Sequence, residues 1–419
     1  MESSATAGLL SPYRVLDLTS AECLLCGKIL ADLGADVIQI EPPGGHAARR
    51  IGPFYREEVQ AERSLYWWAY AANKRSITLD ITSPAGHKLF QRLVASADFL
   101  LESSPPGTLD TLGLGYQALA AINPQLIMVA ITPFGQQGPY AHYKAPDLVG
   151  MALSGFLYVT GEPDRAPVRI GVPHFYLHGA GAGASGAMVA HMHRVLTGKG
   201  QYVDVSCQEA MARALANAPQ SYTMEHAIIQ RQGAYRQTGA SSFMRLTWPC
   251  KDGYVNFQFS GGQGSGLGVN NLIRWMAEDG MGDPALAAVD FTTLGYGTIT
   301  SEMLAWMVPP IERFLLSKTK HELLQGAVER RILLFPVSTT ADIVHDPQLA
   351  ARQYFQQISW PGTEAPVTLL GPFAQLSATP LQMHRLPPPA PGEHNQAVYH
   401  DELGLQPEDM AMLYAQGVL

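Results

Sequence analysis

The chain has 419 residues and a formal net charge of -8, with 47% hydrophobic and 15% charged residues. That length exceeds one simple core and suits two domains or one elaborated domain, and the apolar fraction excludes wholesale disorder. With no basic run, the acidic balance argues against nucleic acid as a partner; one small anionic ligand needs only a few positive groups or helix N-termini. From Val15 to Leu18 the sequence reads as a short buried strand, and from Leu24 to Leu33 as a helix ended by Gly34. Val37 to Ile40 and Ser76 to Asp80 read as further strands. A helix follows with Ser83 as cap and Pro84 in its first turn, its apolar face made by Leu89, Phe90, Leu93 and Val94. Strands at Phe99–Leu101 and Leu126–Ile131 flank a helix at Tyr116–Ile122. This alternation predicts an α/β fold whose parallel sheet is covered on both faces. A long Ala/Gly-rich helix is expected from Leu177 to Val195, then a strand from Gln201 to Val205. Gly-rich stretches near 230–242 and 261–268 place a smaller domain at 234–318, between a first part at 1–233 and a return at 319–419. Within that return, Pro387, Pro388, Pro389 and Pro391 read as a stiff connection.

Residues 1–12 lack the basic start and apolar centre of a secretory leader, and no run of about 18 apolar residues marks a membrane span. Cys23, Cys26, Cys207 and Cys250 do not form a disulfide framework, so a reducing cytoplasm is the expected location.

Several motifs have a plainer reading than their chemistry. Cys23 and Cys26 have redox spacing but lie in an apolar helix start, where packing accounts for them. Gly181, Gly183 and Gly186 satisfy G-x-G-x-x-G, yet residues 173–180 separate them from the preceding strand-like residue, Val172. Small residues at 179, 183 and 187 instead suit a close helix contact. His174 and His178 share a helical spacing, but no acidic residue or cysteine stands near to complete a metal site, and none is expected. Neither a G-x-S-x-G elbow nor a Walker loop is present.

Stretches spread through the chain resemble one family. They include Val15-Leu16-Asp17-Leu18-Thr19, Leu30-Ala31-Asp32-Leu33-Gly34-Ala35-Asp36 with Glu41-Pro42-Pro43-Gly44-Gly45, and Asn73-Lys74-Arg75-Ser76. Also matching are Pro106-Gly107-Thr108-Leu109-Asp110, Phe134-Gly135-Gln136-Gln137-Gly138-Pro139-Tyr140, Thr197-Gly198-Lys199-Gly200-Gln201 and Asp346-Pro347-Gln348-Leu349-Ala350. The sequence is similar to the class III CoA-transferases (CaiB/BaiF, formyl-CoA transferase-like). The resemblance implies a Rossmann-like large domain made from both chain ends, an inserted smaller α+β domain, and an interlocked dimer. It implies an acyl-CoA and a small carboxylic acid as substrates, with no permanently bound cofactor. CoA contacts are implied at Ala21 and Glu22, at Asn73, Lys74 and Arg75, at Ser103 and Ser104, and at Tyr143, Lys144 and Ala145. These positions are expected after the C-terminal ends of strands, where open parallel sheets bind ligands, with Lys74, Arg75 and Lys144 as the positive charges.

Transferases of this family use an aspartate carboxylate. It attacks the acyl-CoA thioester to give a mixed anhydride, which the released thiolate converts to an aspartyl-CoA thioester. That aspartate follows Gly-Val-Pro by two further residues. Here the segment reads Gly171-Val172-Pro173-His174-Phe175-Tyr176, and counting back from Thr197-Gly198-Lys199 gives the same position. Tyr176 therefore stands where the nucleophile belongs. A phenol with a pKa of about 10 is neutral at pH 7 and makes no anhydride. Pro146 precedes Asp147, so the His-Asp pair of the family's racemases is missing as well. The resemblance is thus to the aspartate-lacking chain of a two-chain transferase, in which a paralogous partner supplies the carboxylate. Its donor would be an acyl-CoA such as succinyl-CoA, its acceptor a carboxylic acid such as the aromatic dicarboxylate benzylsuccinate. Two alternatives stay open. One is a stand-alone acyl-CoA hydrolase, lyase or isomerase, in homodimeric form, using His174, His178 or Glu22. The other is a non-catalytic CoA-binding or regulatory partner.

Overall fold

The structure, a computed structural model, describes residues 8–237, 243–295, 298–360, 363–381, 385–388 and 390–419. Pro389 and the end of the Gly-rich stretch at 238–242 lie outside the described residues. The chain divides into two units, one of Met1–Ser154, Gly171–Ala214 and Pro347–Leu419, the other of Gly155–Ile170 and Leu215–Asp346.

The larger unit is built on six parallel strands. These are β1 (Arg14–Leu18), β2 (Asp36–Glu41), β3 (Lys74–Thr78), β4 (Phe99–Glu102), β5 (Ile127–Thr132) and β6 (Tyr202–Ser206). Their order across the sheet is β3-β2-β1-β4-β5-β6, so the chain winds outward from β1 in one direction and then from β4 in the other. β3, β4 and β5 are buried along their whole length, as expected where helices cover both faces. On one face Leu16, Ile38, Ile77, Leu100 and Met128 form a core with Leu89, Phe90, Leu93 and Val94 of the helix Pro84–Val94. Val398, Tyr399, Leu413 and Leu419 enter the same core, so both chain ends build this unit. Asn395 and Tyr399 fasten the C-terminal segment to β3 through the hydroxyl and the carbonyl oxygen of Thr78. Ser83 caps the helix start by accepting a hydrogen bond from the Gly86 N–H.

The other face is covered by the helices Leu25–Asp32 and Phe175–Thr197. The longer one needs its glycines for approach, and its G-x-G-x-x-G run is not a phosphate turn. A Cβ on Gly179 would stand 2.2 Å from the Cys207 sulfur, and one on Gly183 would stand 2.7 Å from Ile131 Cδ1. Cys23 and Cys26 are fully buried, and burial holds both thiols above their ordinary range, which leaves them as neutral packing groups. A two-stranded antiparallel ladder of β11 (Phe355–Ile358) and β12 (Val367–Leu370) completes this unit.

The smaller unit is α+β. Its antiparallel sheet has the order β10-β9-β8-β7, from β7 (Tyr235–Gln237), β8 (Phe243–Cys250), β9 (Gly253–Phe259) and β10 (Leu334–Pro336). Trp248, Phe257 and Phe259 of the sheet pack with Trp275, Phe291 and Phe314. This unit is wider than 234–318. The helix Lys320–Arg330 and β10 give Leu323, Ala327, Ile332 and Leu334 to its core, so the return to the larger unit comes at Pro347.

Candidate active site

In an open parallel sheet the place where winding reverses leaves a crevice at the strand C-termini, between loops that diverge to opposite faces. Here that place lies between β1 and β4, and a cavity of about 780 Å³ opens there. That is the size of a pocket that holds most of a drug-sized ligand. Ser20 and Glu22 line it after β1; Ser103, Ser104 and Pro105 line it after β4. The segment Ala141 to Asp147 forms another wall, with Tyr176 and Leu177 beside it, and Tyr66 and Tyr70 complete the lining. The surface is mostly aromatic, aliphatic and proline.

One hydrogen bond joins the two strand-end loops, and a second folds the loop after β4 onto its own strand end. The Ser20 N–H donates to Ser103 Oγ at 2.7 Å, and the Ser104 N–H donates to Glu102 Oε2 at 2.6 Å. Glu102 is only 4% exposed. Burial pushes its carboxyl up to about 7, Asp110 and Asp204 push it the same way, and the bonds from Ser104 oppose them.

Tyr176 lies in the first turn of the helix Phe175–Thr197, and its hydroxyl donates to the Ala145 carbonyl oxygen at 2.7 Å. Burial first, then the neighbouring Cys207, Cys23, Glu22 and Asp147, holds the phenol above its ordinary range, so it stays protonated. Asp147 Oδ1 accepts from the backbone N–H groups of His174 at 2.8 Å and Phe175 at 3.0 Å. It thereby takes up orphan donors at the start of that helix, a structural task for the carboxylate. The segment that carries Tyr143, Lys144 and Ala145 is thus tied to the helix start at two points.

Two charges in the cleft are left over. Among the described residues, neither the Glu22 carboxylate nor the Lys144 ammonium has a hydrogen-bond or ion-pair partner, and both side chains are exposed.

Of the positions expected to meet CoA, Glu22, Ser103, Ser104, Tyr143, Lys144 and Ala145 line this cleft. Ala21 is buried beneath it, where its carbonyl oxygen accepts from the Tyr66 hydroxyl at 2.8 Å. Asn73, Lys74 and Arg75 are elsewhere, and their placing after a strand end is corrected. They stand at the start of β3, not beyond its C-terminus. Lys74 is 0% exposed; its ammonium donates to Asp17 Oδ2 at 2.8 Å, the Leu24 carbonyl oxygen at 3.0 Å and Gln39 Oε1 at 3.1 Å. Arg75 pairs with Asp36 and Glu402, and Asn73 donates to Asp32 and accepts from the Arg385 N–H. Three satisfied ammonium donors leave none for a phosphate.

Tyr66 and Tyr70 were not foreseen. They belong to the helix Leu65–Ala71, which buries Trp67, Trp68 and Ala71 on its other side. The spacing of four between the tyrosines was the available signal. His174 and His178 have ring centroids 6.1 Å apart and do not line the cleft. Among the described residues no group of His, Cys, Asp and Glu is placed to hold a metal ion.

With this geometry in place, comparison with known proteins is decisive about ancestry. The family model of CoA-transferase family III matches residues 10–395. The chain belongs to that family. It is 37% identical over 347 residues to succinyl-CoA:(R)-benzylsuccinate CoA-transferase subunit BbsE of Thauera aromatica, covering 83% of each chain. It is 33% identical to succinyl-CoA--D-citramalate CoA-transferase of Chloroflexus aurantiacus over 100% of both. A CAIB/BAIF family protein from Brucella suis superposes with a TM-score of 0.80 at 29% identity, covering 94% of this chain and 99% of that one. Among the described residues no helix is long and apolar enough to cross a membrane.

Proposed function

We propose that this chain is the non-nucleophilic subunit of a class III CoA-transferase, and that a paralogous chain supplies the aspartate. The observation that carries this reading is Tyr176. A protonated phenol, hydrogen-bonded to the Ala145 carbonyl oxygen, stands where family members have their carboxylate. Asp147 does not replace it, because its Oδ1 is bound by the helix start. Similarity to a protein named as a subunit of a benzylsuccinate transferase supports a hetero-oligomer. It also supports succinyl-CoA as donor and a bulky or aromatic dicarboxylate as acceptor. The proposed location is the cytoplasm. In this reading the chain's own residues bind and orient. Ser103, Ser104, Tyr143, Lys144 and Ala145 shape a thioester site, and the phenol at 176 keeps it free of covalent steps.

The test is transferase activity with succinyl-CoA and a panel of dicarboxylates, for the purified chain alone and co-expressed with an aspartate-bearing paralogue. Turnover is expected only for the pair, with hydroxylamine trapping an adduct on the paralogue's aspartate. Full activity from the isolated chain, with an adduct on Glu22 or another of its residues, overturns the reading.

A further inference from the structure

We propose that Tyr70 selects the acyl group bound in this cleft: its phenol donates a hydrogen bond to the terminal carboxylate of a dicarboxylic acyl thioester. The inference rests on the reading of the cleft as a thioester site and names the residue that recognises the far end of the acyl group.

A carboxylate drawn out of water into an aromatic and aliphatic cleft needs a hydrogen-bond donor there. The ionisable groups of the lining lie at two depths. Glu22, His142 and Lys144 are exposed, and Tyr143 is exposed beside them, stacked on Tyr140 with ring centroids 5.2 Å apart. Asp147 and the phenols Tyr66, Tyr70 and Tyr176 are half-buried. Three of these four inner groups are already engaged. Asp147 Oδ1 accepts from the N–H groups of His174 and Phe175. The Tyr66 hydroxyl donates to the Ala21 carbonyl oxygen at 2.8 Å, and the Tyr176 hydroxyl to that of Ala145 at 2.7 Å. The Tyr70 hydroxyl has no partner among the described residues. Burial raises this phenol, so it stays protonated and keeps its hydrogen to donate. The Glu22 charge adds to burial at Tyr66 and Tyr176, whereas burial alone acts at Tyr70, which is the phenol least set against an arriving anion.

The Tyr70 ring is also held in place. Its centroid lies 4.8 Å from that of Tyr66, with the planes at 52°. Behind the two tyrosines the same helix is anchored: Trp67 Nε1 donates to the Pro388 carbonyl oxygen at 2.8 Å, and Trp68 stacks on Trp360 with centroids 4.3 Å apart. A donor fixed before the ligand arrives loses little freedom on binding, so its bond discriminates between acyl ends. A methyl-ended acyl chain makes the same apolar contacts without that bond. The exposed Lys144 and His142 suit the phosphate-bearing part of the ligand, which stays nearer to water.

The experiment is calorimetric binding of free CoA, succinyl-CoA and butyryl-CoA to the native chain and to Tyr70→Phe. Butyryl-CoA has the carbon count of succinyl-CoA, with a methyl group in place of the carboxylate. The native chain is expected to bind succinyl-CoA about tenfold more tightly than butyryl-CoA, the size of one hydrogen bond to a charged group. Tyr70→Phe keeps the ring against Tyr66 and is expected to bring the two thioesters within about twofold of each other, with free CoA unchanged. The ratio of the two affinities is the readout, because a merely loosened wall weakens all three ligands alike. Ser103→Ala, His142→Ala and Lys144→Ala are expected to keep the preference. Its loss in one of these variants and survival in Tyr70→Phe overturns the assignment, as does a native chain that binds both thioesters equally. In those cases free CoA still binds and the thioester reading stands. Absence of CoA binding removes that reading and the assignment with it.

Discussion

The hydroxyl of Tyr176 lies 2.7 Å from the carbonyl oxygen of Ala145, to which it donates its hydrogen bond. The group at the nucleophile position is therefore also a strut for the wall of the cleft. Tyr176→Phe is expected to lower stability by about 1 kcal/mol, the ordinary net contribution of one hydrogen bond. If Tyr176 has no chemical part, the activity of the assembled enzyme should change little. Thermal unfolding and kcat of the reconstituted pair measure the two effects separately.

Asp147 caps the helix Phe175–Thr197 from across the cleft wall. Asp147→Ala removes an acceptor for two N–H groups and is expected to cost about 1 to 2 kcal/mol, with Asp147→Asn recovering part of the loss. Loosening of the 141–146 segment should also weaken CoA binding. Unfolding in urea, with calorimetry for CoA, checks both.

Lys74 and Lys144 should part company in mutagenesis. Lys74→Ala leaves the Asp17 carboxylate buried without its counter-charge, and a loss of about 3 to 5 kcal/mol is expected. Lys144→Ala removes an exposed, unpaired charge and should leave stability unchanged. It should weaken CoA binding by about 1 to 3 kcal/mol if the ammonium meets a phosphate. Denaturant midpoints and CoA affinities for the two variants decide the assignment.

Glu102 sets a pH dependence. Its folded carboxyl is raised to about 7 from 4.5, so folding favours its protonated form. The associated stability is fully present below pH 4.5 and is lost as pH rises through about 7. A shift of that size corresponds to about 3 kcal/mol. Glu102→Gln, which cannot ionise and still accepts from Ser104, should be more stable than the native chain at pH 8 and nearly equal to it at pH 4.5. Unfolding free energies across that range test the sign.

Much of the larger unit was legible in the sequence because its signals are local. Alternating buried strands and amphipathic helices show in the apolar pattern, and the helix Tyr116–Ile122 lies where the pattern places it. The third strand was read two residues late, at Ser76 instead of Lys74. A Lys-Arg pair looks like a solvated turn until its partners are known, and Asp17 is 57 residues away. The family resemblance, and not the apolar pattern, put Asn73, Lys74 and Arg75 beyond a strand end. The loops after β1 and β4 were located correctly because strand ends can be counted from sequence. Tyr66 and Tyr70 were not, since a seven-residue helix gives little periodicity. The border of the smaller unit at Pro347 depends on which core claims Leu323 and Leu334, a matter of packing that composition does not express.

The buried Asp17–Lys74 pair spans three neighbouring strands. Lys74 on β3 reaches past Gln39 on β2 to Asp17 on β1, and Gln39 itself donates to the Asp17 carbonyl oxygen at 3.0 Å. Thr19 supplies the other Asp17 oxygen with two donors. Hydrophobic side chains alone would tolerate an alternative alignment of β1 and β2, since the positions beside Asp17 and Gln39 on those strands are apolar. The ion pair does not. Sliding one strand by a single residue turns one charge to the opposite face and strands the other in the interior. The pair thus works as a keyed lock on strand alignment: it admits one pairing of β1, β2 and β3 and penalises every misaligned one.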